Sequence, residues 1–373
     1  MDKKAILVLE DGAAYEGVSF GAEADAYGEV VFSTSMTGYQ EMLTDPSFAG
    51  QILVPTYPLV GNYGINERDF ESKEIQVRGF AVREYCPQPS HWQSTRTLHE
   101  FLQAGGIPGI SGIDTRALTR HIRSQGAMMG ILSSGMTVEE ALEELKRLPK
   151  YDFTDFVHEV STEKSYEWQS SKNDDPTLSL QAQRNNLRIT IVDYGLKYNI
   201  ARILSLFGCQ VTAVPCTTSA EDILALNPDG IVLSPGPGDP ALLEDIVRTV
   251  RGIIGKKPIM GICLGHQLIG KALGAGTFKL KFGHRGGNHP VRDLASGRVY
   301  ITAQNHGYAV NAGTLKDGLE VSHINLNDGT VEGLRHQDLP ILSIQYHSEA
   351  SPGPQDNRYL FERFLEMVRG GNK

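Results

Sequence analysis

The sequence predicts an α/β protein in two parts, with a mostly parallel, helix-flanked sheet in the second half and a mixed α/β domain in the first. The second half alternates short apolar strands with helical patterns, as parallel sheets do. The first half mixes strands, turns and helices without that alternation. A polar stretch between them lacks periodicity and predicts a connector. The predicted boundaries are 1–160, 161–186 and 187–373.

Length and charge limit the class of protein. At 373 residues the chain is long enough for two domains with separate cores. Its formal net charge of −9 has the opposite sign from a typical nucleic-acid binder, so no nucleic-acid partner is expected. No apolar run has the length of a membrane span, so no membrane partner is expected.

The cysteines and the N-terminus indicate the compartment. Cys86, Cys209, Cys216 and Cys263 lie far apart without a CxxC pair, which argues against a disulfide framework or a zinc site. The residues after Met1 lead directly into a strand-like run, without an apolar signal segment. We therefore expect a cytoplasmic protein whose chain binds no metal.

The first half contains short strands and capped helices. Asp11-Gly12 predicts a hairpin turn, Asp114 is a candidate helix N-cap, and Thr137 with Glu140 forms a capping box. The predicted strands are 5–9, 30–32, 51–54 and 75–82, and the predicted helices are 97–103, 115–123 and 137–148.

The second half follows a βαβ pattern and then changes to more closely spaced strands. Ligands of parallel sheets bind at the carboxyl ends of the strands, so we expect the chemistry there. The predicted strands are 187–192, 210–214, 230–233, 258–263, 298–302, 320–324, 331–334 and 341–345. The predicted helices are 199–207, 241–254, one beginning near 265, and 356–368.

The candidate nucleophile lies in Gly261-Ile262-Cys263-Leu264-Gly265, a G-x-C-x-G pattern at a strand-to-helix turn. Small flanking residues permit a tight turn that lifts the sulfur out of the sheet. The following helix contributes partial positive charge, which favours a thiolate, and the Leu264 N–H is placed to stabilise an oxyanion. The alternative is a buried structural cysteine, but the two glycines and the turn favour catalysis.

The candidate base is His347, with Glu349 as its orienting carboxylate. They end the apolar run from Ile341, and side chains two apart on a strand point to the same face. Glu349 can then fix the imidazole tautomer while the other ring nitrogen faces a nucleophile. The alternative is a surface histidine near a solvated glutamate. The strand-end position favours His347 over the other histidines.

A third element follows the strand 230–233. Ser234-Pro235-Gly236-Pro237-Gly238-Asp239-Pro240 is a glycine- and proline-rich loop at the expected carboxyl edge of the sheet. Such a loop is either a rigid turn or a source of backbone amides that approach a substrate closely and supply a second oxyanion donor.

These three motifs together resemble the class I glutamine amidotransferases, and they occur in that family's order within 187–373. The first half resembles the small subunit of carbamoyl-phosphate synthetase, whose N-terminal domain other amidotransferases of this class lack. The matching stretches are Met36 to Ile52, Tyr57 to Gly64, Gly109 to Arg120 and, in the second half, Gly287 to Val291. The resemblance therefore spans essentially the whole chain.

The resemblance implies a role for each matching residue. Cys263 corresponds to the nucleophile, His347 to the base and Glu349 to its orienter, while Gly236 and Leu264 supply the oxyanion donors. The implied glutamine-binding positions are Ser47, Gly236, Gly238, Leu264, Gln267, Asn305, Gly307 and Tyr308. Pro235 stands where the family usually has Asn, and Tyr308 where Phe is frequent. Neither departure touches the triad.

The resemblance also implies a partner. ATP, Mg²⁺ and bicarbonate chemistry would belong to a large synthetase subunit in a heterodimer or higher oligomer, and this chain would carry no cofactor and pass on ammonia from L-glutamine. The absence of a G-x-x-x-x-G-K-[ST] loop agrees with this division. Low glutaminase activity is expected for the isolated chain, rising when the partner binds.

Other functions remain open at this point. One is a glutaminase that feeds another synthase, or a free-standing γ-glutamyl hydrolase; the N-terminal matches argue against both. Another is a non-catalytic regulatory subunit. Because Cys263, His347 and Glu349 are all present, the sequence favours an active enzyme.

Overall fold

The computed structural model describes residues 3–169 and 186–370, and the chain forms two compact units. Unit 1 comprises Met1–Thr154 and Lys281–Gly286, and unit 2 comprises Asp155–Leu280 and Gly287–Lys373. Unit 2 thus begins before the predicted boundary at 160, because Val157 is buried in its core. Most of the predicted connector, residues 170–185, lies outside the described residues.

Unit 1 contains a closed seven-stranded barrel. Its strand order is β1-β2-β8-β6-β4-β3-β9, and β5 and β7 form a separate parallel pair. The Asp11-Gly12 turn between the antiparallel strands β1 and β2 is confirmed. The strands are β1 (Lys4–Leu9), β2 (Ala14–Gly21), β3 (Ala26–Ser33), β4 (Gln51–Pro55), β5 (Leu59–Val60), β6 (Gly79–Ala81), β7 (Glu84–Tyr85), β8 (Pro108–Ser111) and β9 (Met128–Ser133).

The helices of unit 1 are α1 (Tyr39–Thr44), α2 (Leu98–Ala104), α3 (Thr115–Gln125) and α4 (Val138–Leu145). The predicted caps are confirmed. The Asp114 side chain accepts a hydrogen bond from the Ala117 N–H at 2.9 Å, and Thr137 and Glu140 make both bonds of a capping box. These bonds satisfy N–H groups that a helix cannot pair internally. The prediction missed α1, together with β2, β5, β7, β8 and β9.

Unit 2 is built on a ten-stranded sheet in the order β10-β12-β11-β13-β14-β19-β18-β17-β15-β16. Strands β12, β11, β13, β14 and β19 run parallel to one another, β10 and β18 pair antiparallel with the two outer strands of this group, and β17 pairs antiparallel with both β18 and β15. The strands are β10 (Tyr166–Glu167), β11 (Arg188–Asp193), β12 (Gln210–Pro215), β13 (Gly230–Leu233), β14 (Ile259–Ile262), β15 (Thr277–Asp293), β16 (Val299–Val310), β17 (Leu319–Asn325), β18 (Val331–His336) and β19 (Ile341–Ile344).

Helices cover both faces of the parallel strands. Alternate residues of each strand therefore pack into two different hydrophobic clusters, one on each face of the sheet. Val232 packs in a cluster with Leu204 and Phe361, whereas the adjacent Leu233 packs in a cluster with Val250. The helices are α5 (Val157–Val160), α6 (Tyr198–Leu206), α7 (Ala220–Ala225), α8 (Glu244–Ile253), α9 (Leu264–Ala272) and α10 (Tyr359–Val368). The predicted helix-flanked, mostly parallel sheet is confirmed. No helix of the described residues combines the length and apolarity needed to cross a membrane.

Strand β15 contributes to both units. Its residues Lys281–Gly286 belong to unit 1, where the Ala127 N–H donates to the Lys281 carbonyl at 2.9 Å. The rings of Phe282 and Phe32 stack with their centroids 5.9 Å apart. A segment from the middle of the second half of the sequence therefore completes the first unit.

Candidate active site

Cys263 alone forms the turn between β14 and α9. Its φ of 53° and ψ of −105° lie in a strained region for a residue with a side chain, and the residue is 2% exposed. The flanking glycines are required because a Cβ at Gly265 would lie 2.2 Å from the Leu233 carbonyl oxygen, and one at Gly261 would lie 2.8 Å from the Gly265 carbonyl oxygen. The predicted strand-to-helix turn is present.

Two groups contact the sulfur of Cys263. Its Sγ lies 3.6 Å from the backbone oxygen of Asn305, which can accept the thiol proton. The side-chain Nε2 of Gln345 also lies 3.6 Å from Sγ and donates to it. The nucleophile candidate is therefore held between β16 and the end of β19.

His347 and Glu349 form a buried pair beyond the end of β19. The Nδ1 of His347 lies 2.6 Å from Oε1 of Glu349, and the two side chains are 2% and 0% exposed. Strand β19 ends at Ile344, so an isolated bridge between His347 and Ala303, rather than a continued strand, holds the histidine. Nε2 of His347 has no hydrogen-bond partner in the described parts of the chain.

The charges around His347 set its protonation. Burial, the largest single effect, and Lys197 lower the pKa of His347, but the Glu349 carboxylate and the interaction with Cys263 together outweigh them and raise the pKa to about 10. Burial raises the pKa of Glu349, but Lys197 and His347 outweigh it and hold that pKa well below its ordinary value. The pair therefore favours a charged imidazole next to a carboxylate.

Lys197 and Asn199 also hold Glu349, and the sequence did not predict either contact. Nζ of Lys197 lies 3.2 Å from Oε1 of Glu349 and donates to the Ala350 carbonyl at 2.5 Å. Nδ2 of Asn199 donates to the backbone carbonyl of Glu349 at 2.5 Å. Lys197 lies between β11 and α6, far from Glu349 in sequence, and local patterns carry no signal for such a contact.

Gly236 and Leu264 lie against each other with free backbone amides. A Cβ at Gly236 would lie 2.3 Å from the Tyr194 carbonyl oxygen and 2.7 Å from Cδ2 of Leu264, so only glycine fits. Across residues 3–169 and 186–370, neither the Gly236 N–H nor the Leu264 N–H donates a hydrogen bond to the protein. Unpaired N–H groups at a helix N-terminus can stabilise an anion.

The remaining candidates fall in both units. Asn305, Gly307 and Tyr308 lie inside β16, which extends beyond the predicted strand 298–302. Gln267 lies on α9, and its Nε2 donates to the Tyr308 carbonyl at 2.8 Å. Gly238, with a φ of 87°, lies in the loop after β13. These residues are all in unit 2, and among them the Asn305 carbonyl contacts Sγ of Cys263.

Ser47 is the exception because it belongs to unit 1. It lies in the short 3₁₀ turn Pro46–Phe48, where the Asp45 carboxylate accepts a hydrogen bond from the Ser47 N–H at 2.9 Å. Its hydroxyl is buried and has no hydrogen-bond partner among the residues that the structure describes. A buried hydroxyl without a partner costs stability, which suggests a reason to retain it other than folding.

Two family models match the chain. Residues 7–132 match the carbamoyl-phosphate synthase small chain, CPSase domain, and residues 190–367 match the class-I glutamine amidotransferases. The two matches follow the same order along the chain as the two halves that the sequence predicts.

Whole-length relatives are also similar. The carbamoyl phosphate synthase small chain of Syntrophotalea carbinolica is 52% identical, and the match covers 98% of each chain. That of Listeria monocytogenes serotype 4b is 53% identical over 98% of this chain and 97% of its own length. That of Akkermansia muciniphila is 50% identical over 99% of both. The similarity thus extends over both units.

Proposed function

Because the chain belongs to the carbamoyl-phosphate synthase small-chain family, we propose that it is the glutamine-hydrolysing subunit of that enzyme. The observation that carries the proposal is the arrangement around Cys263. A strained cysteine lies at a helix N-terminus, next to a buried histidine whose other nitrogen is held by a carboxylate. This arrangement is suited to covalent catalysis by a thiolate.

The proposed reaction begins with attack of the Cys263 thiolate on the side-chain amide carbon of glutamine. This thiolate forms because His347, whose raised pKa favours accepting a proton, takes the proton of the Cys263 thiol. The oxyanion of the tetrahedral intermediate is stabilised by the N–H groups of Gly236 and Leu264. His347 then gives its proton to the leaving nitrogen, and ammonia departs. The product left on the enzyme is a γ-glutamyl thioester at Cys263.

The second half of the reaction releases glutamate. His347 takes a proton from a water molecule as that water attacks the thioester carbon, and the proton returns to the departing sulfur. Glu349, held by Lys197, keeps the imidazole in one orientation throughout. We assign substrate binding to Ser47, Gly236, Gly238, Leu264, Gln267, Asn305, Gly307 and Tyr308.

The ammonia is proposed to serve a large synthetase subunit, where ATP and Mg²⁺ would bind and carbamoyl phosphate would form. Enclosed transfer between the subunits has a chemical reason, since ammonia becomes ammonium near neutral pH and is then no longer a nucleophile. The four cysteines are all free, which supports the proposed cytoplasmic setting.

The direct test combines this chain with its candidate large subunit. Carbamoyl phosphate formation is measured with glutamine and then with ammonium chloride as the nitrogen source. We expect both sources to support the wild-type complex, and ammonium alone to support the complex that contains Cys263→Ser. The ammonium arm is the control for assembly of the complex.

Two results would contradict the proposal. One is glutamate release by Cys263→Ser at the wild-type rate, which would remove Cys263 from the chemistry. The other is a complex that uses ammonium but never glutamine, which would indicate a regulatory subunit. A glutaminase that functions with a different synthase would release glutamate but support no carbamoyl phosphate with this partner.

A further inference from the structure

Gln345 contacts the nucleophile but has no part in the chemistry described above. Its Nε2 lies 3.6 Å from Sγ of Cys263, and the residue is 0% exposed. It directly follows β19, where its backbone N–H donates to the Glu332 carbonyl at 2.9 Å. Gln345 and His347, whose pKa is raised by its interaction with Cys263, thus lie two residues apart on one short segment.

The neighbours of Gln345 fix which end of its amide faces the sulfur. The Tyr308 backbone carbonyl can only accept, so the atom of Gln267 that lies 2.8 Å from it must be the amide nitrogen. That nitrogen also donates to Oε1 of Gln345 at 3.0 Å. The oxygen of Gln345 is therefore occupied, and its nitrogen must point at Cys263.

The two contacts on the sulfur favour opposite protonation forms. The Asn305 carbonyl accepts a proton, so it stabilises the neutral thiol. The Gln345 amide only donates, and a donated hydrogen bond is stronger when the acceptor is charged. Without Gln345, only the charge of His347 would oppose the Asn305 contact that favours the thiol.

We propose that Gln345 is a further catalytic residue, whose side-chain amide is a fixed hydrogen-bond donor that stabilises the Cys263 thiolate. The inference rests on the proposed function, because it assumes that the thiolate of Cys263 is the nucleophile. The charged groups facing the sulfur are His347 and, behind it, Glu349 and Lys197. Gln345 adds to their effect without carrying charge.

The test is the pH dependence of alkylation of Cys263 by iodoacetamide, followed by mass spectrometry of the peptide that contains this residue. Gln345→Met keeps the length of the side chain but cannot donate. We expect the pH midpoint of alkylation to rise and the rate at neutral pH to fall about tenfold, as expected from losing one hydrogen bond to a charged group. Cys263→Ser gives the background from other groups in the same peptide.

A matched control separates this effect from the general loss of a buried amide. Gln304 is also buried in the sheet, but its Nε2 donates to Thr302 and Glu332 rather than to the sulfur. Gln304→Met is expected to lower the thermal midpoint while leaving the pH midpoint of alkylation in place. If Gln345→Met does not fold, Gln345→Asn retains an amide but withdraws the donor from the sulfur, and the same upward shift is expected.

An unchanged pH midpoint in a folded Gln345 variant would overturn the inference, as would an equal shift in Gln304→Met. The alkylation assay does not depend on glutamine hydrolysis. If the chain proves to have no glutaminase activity while the midpoint still shifts, the proposed function fails and the hydrogen bond stands. Normal glutaminase with no shift leaves the proposed function and rejects the role of Gln345.

Discussion

Replacing Glu349 by Gln tests the electrostatic basis of the proposed active site. The amide is nearly isosteric with the carboxylate and can still accept the hydrogen bond from Nδ1 of His347, which is now 2.6 Å long. Only the negative charge is removed. The geometry of the pair is therefore preserved while its effect on the imidazole is lost.

The expected magnitude follows from the pKa of His347. Burial is the largest effect on this pKa and lowers it, but Glu349 together with Cys263 outweighs burial, so that the pKa rises from 6.5 to about 10. In Glu349→Gln the carboxylate charge no longer opposes the effect of burial, so the pKa of His347 should fall to 6.5 or below. A fall from about 10 to 6.5 corresponds to about 5 kcal/mol. At neutral pH the imidazole should change from charged to largely neutral.

The measurement is an NMR titration of His347 in protein labelled at histidine Cε1, with His347→Asn used to assign the signal. The pH dependence of the free energy of unfolding should change together with the pKa of His347. A folded pKa above the unfolded value contributes stability that is complete below pH 6.5 and is lost as the pH rises toward 10. Wild type should lose this contribution across that range, whereas Glu349→Gln should not have it.

Lys197→Met is the control, because Lys197 and Glu349 shift the pKa of His347 in opposite directions. Lys197 lowers the pKa of His347, so its removal should raise that pKa or leave it high. A wild-type titration of His347 in Glu349→Gln would refute the reasoning, because the carboxylate would then not be the source of the raised pKa. So would a fall of equal size in Lys197→Met.

Further predictions concern the turn, the buried histidines and the partner. Gly265→Ala should destabilise the protein by about 1–3 kcal/mol in chemical denaturation, because its Cβ would meet the Leu233 carbonyl at 2.2 Å; Gly135→Ala, which meets nothing within 4 Å, should have little effect. Equal destabilisation by the two variants would contradict the close approach of Gly265 to the Leu233 carbonyl. Burial lowers the pKa of His323 to about 4, so the unfolding free energy should fall by about 3 kcal/mol from this residue as the pH drops from 6.5 to 4, and His323→Gln should reduce that slope. If the unfolding free energy depended on pH identically in wild type and in His323→Gln, this would count against a neutral, buried His323. Glutaminase activity of the isolated chain should be low and rise on adding the large subunit, and full activity without a partner would contradict that coupling.

The sequence predicted unit 2 better than unit 1 because its regularities are local. Strands such as Gly230–Leu233 are short apolar runs between helical patterns, and the structure reproduces this one without change. In unit 1, β9 pairs with both β1 and β3, which are far away in sequence, and nothing near Met128 indicates either partner. Barrel closure is a long-range event that local periodicity does not encode.

The same distinction applies to the site. The turn at Cys263 could be predicted because its glycines are sequence neighbours that a tight backbone requires. The contact of Glu349 with Lys197 joins two distant loops, and a lysine that is 2% exposed is rare enough that exposure is the better guess from sequence. The extent of β16 was underestimated because its polar residues, including Asn305, do not look like a strand.

The path of strand β15 has a consequence for the order in which the chain is made. Unit 1 begins at the N-terminus, yet it includes Lys281–Gly286, which bring Phe282 against Phe32 and the Arg285 carbonyl to Thr34. During synthesis on the ribosome, all the barrel strands emerge before Lys281–Gly286, so these contacts can form only after about half of the second half has also emerged. A truncated product ending at Thr154 would lack these contacts permanently.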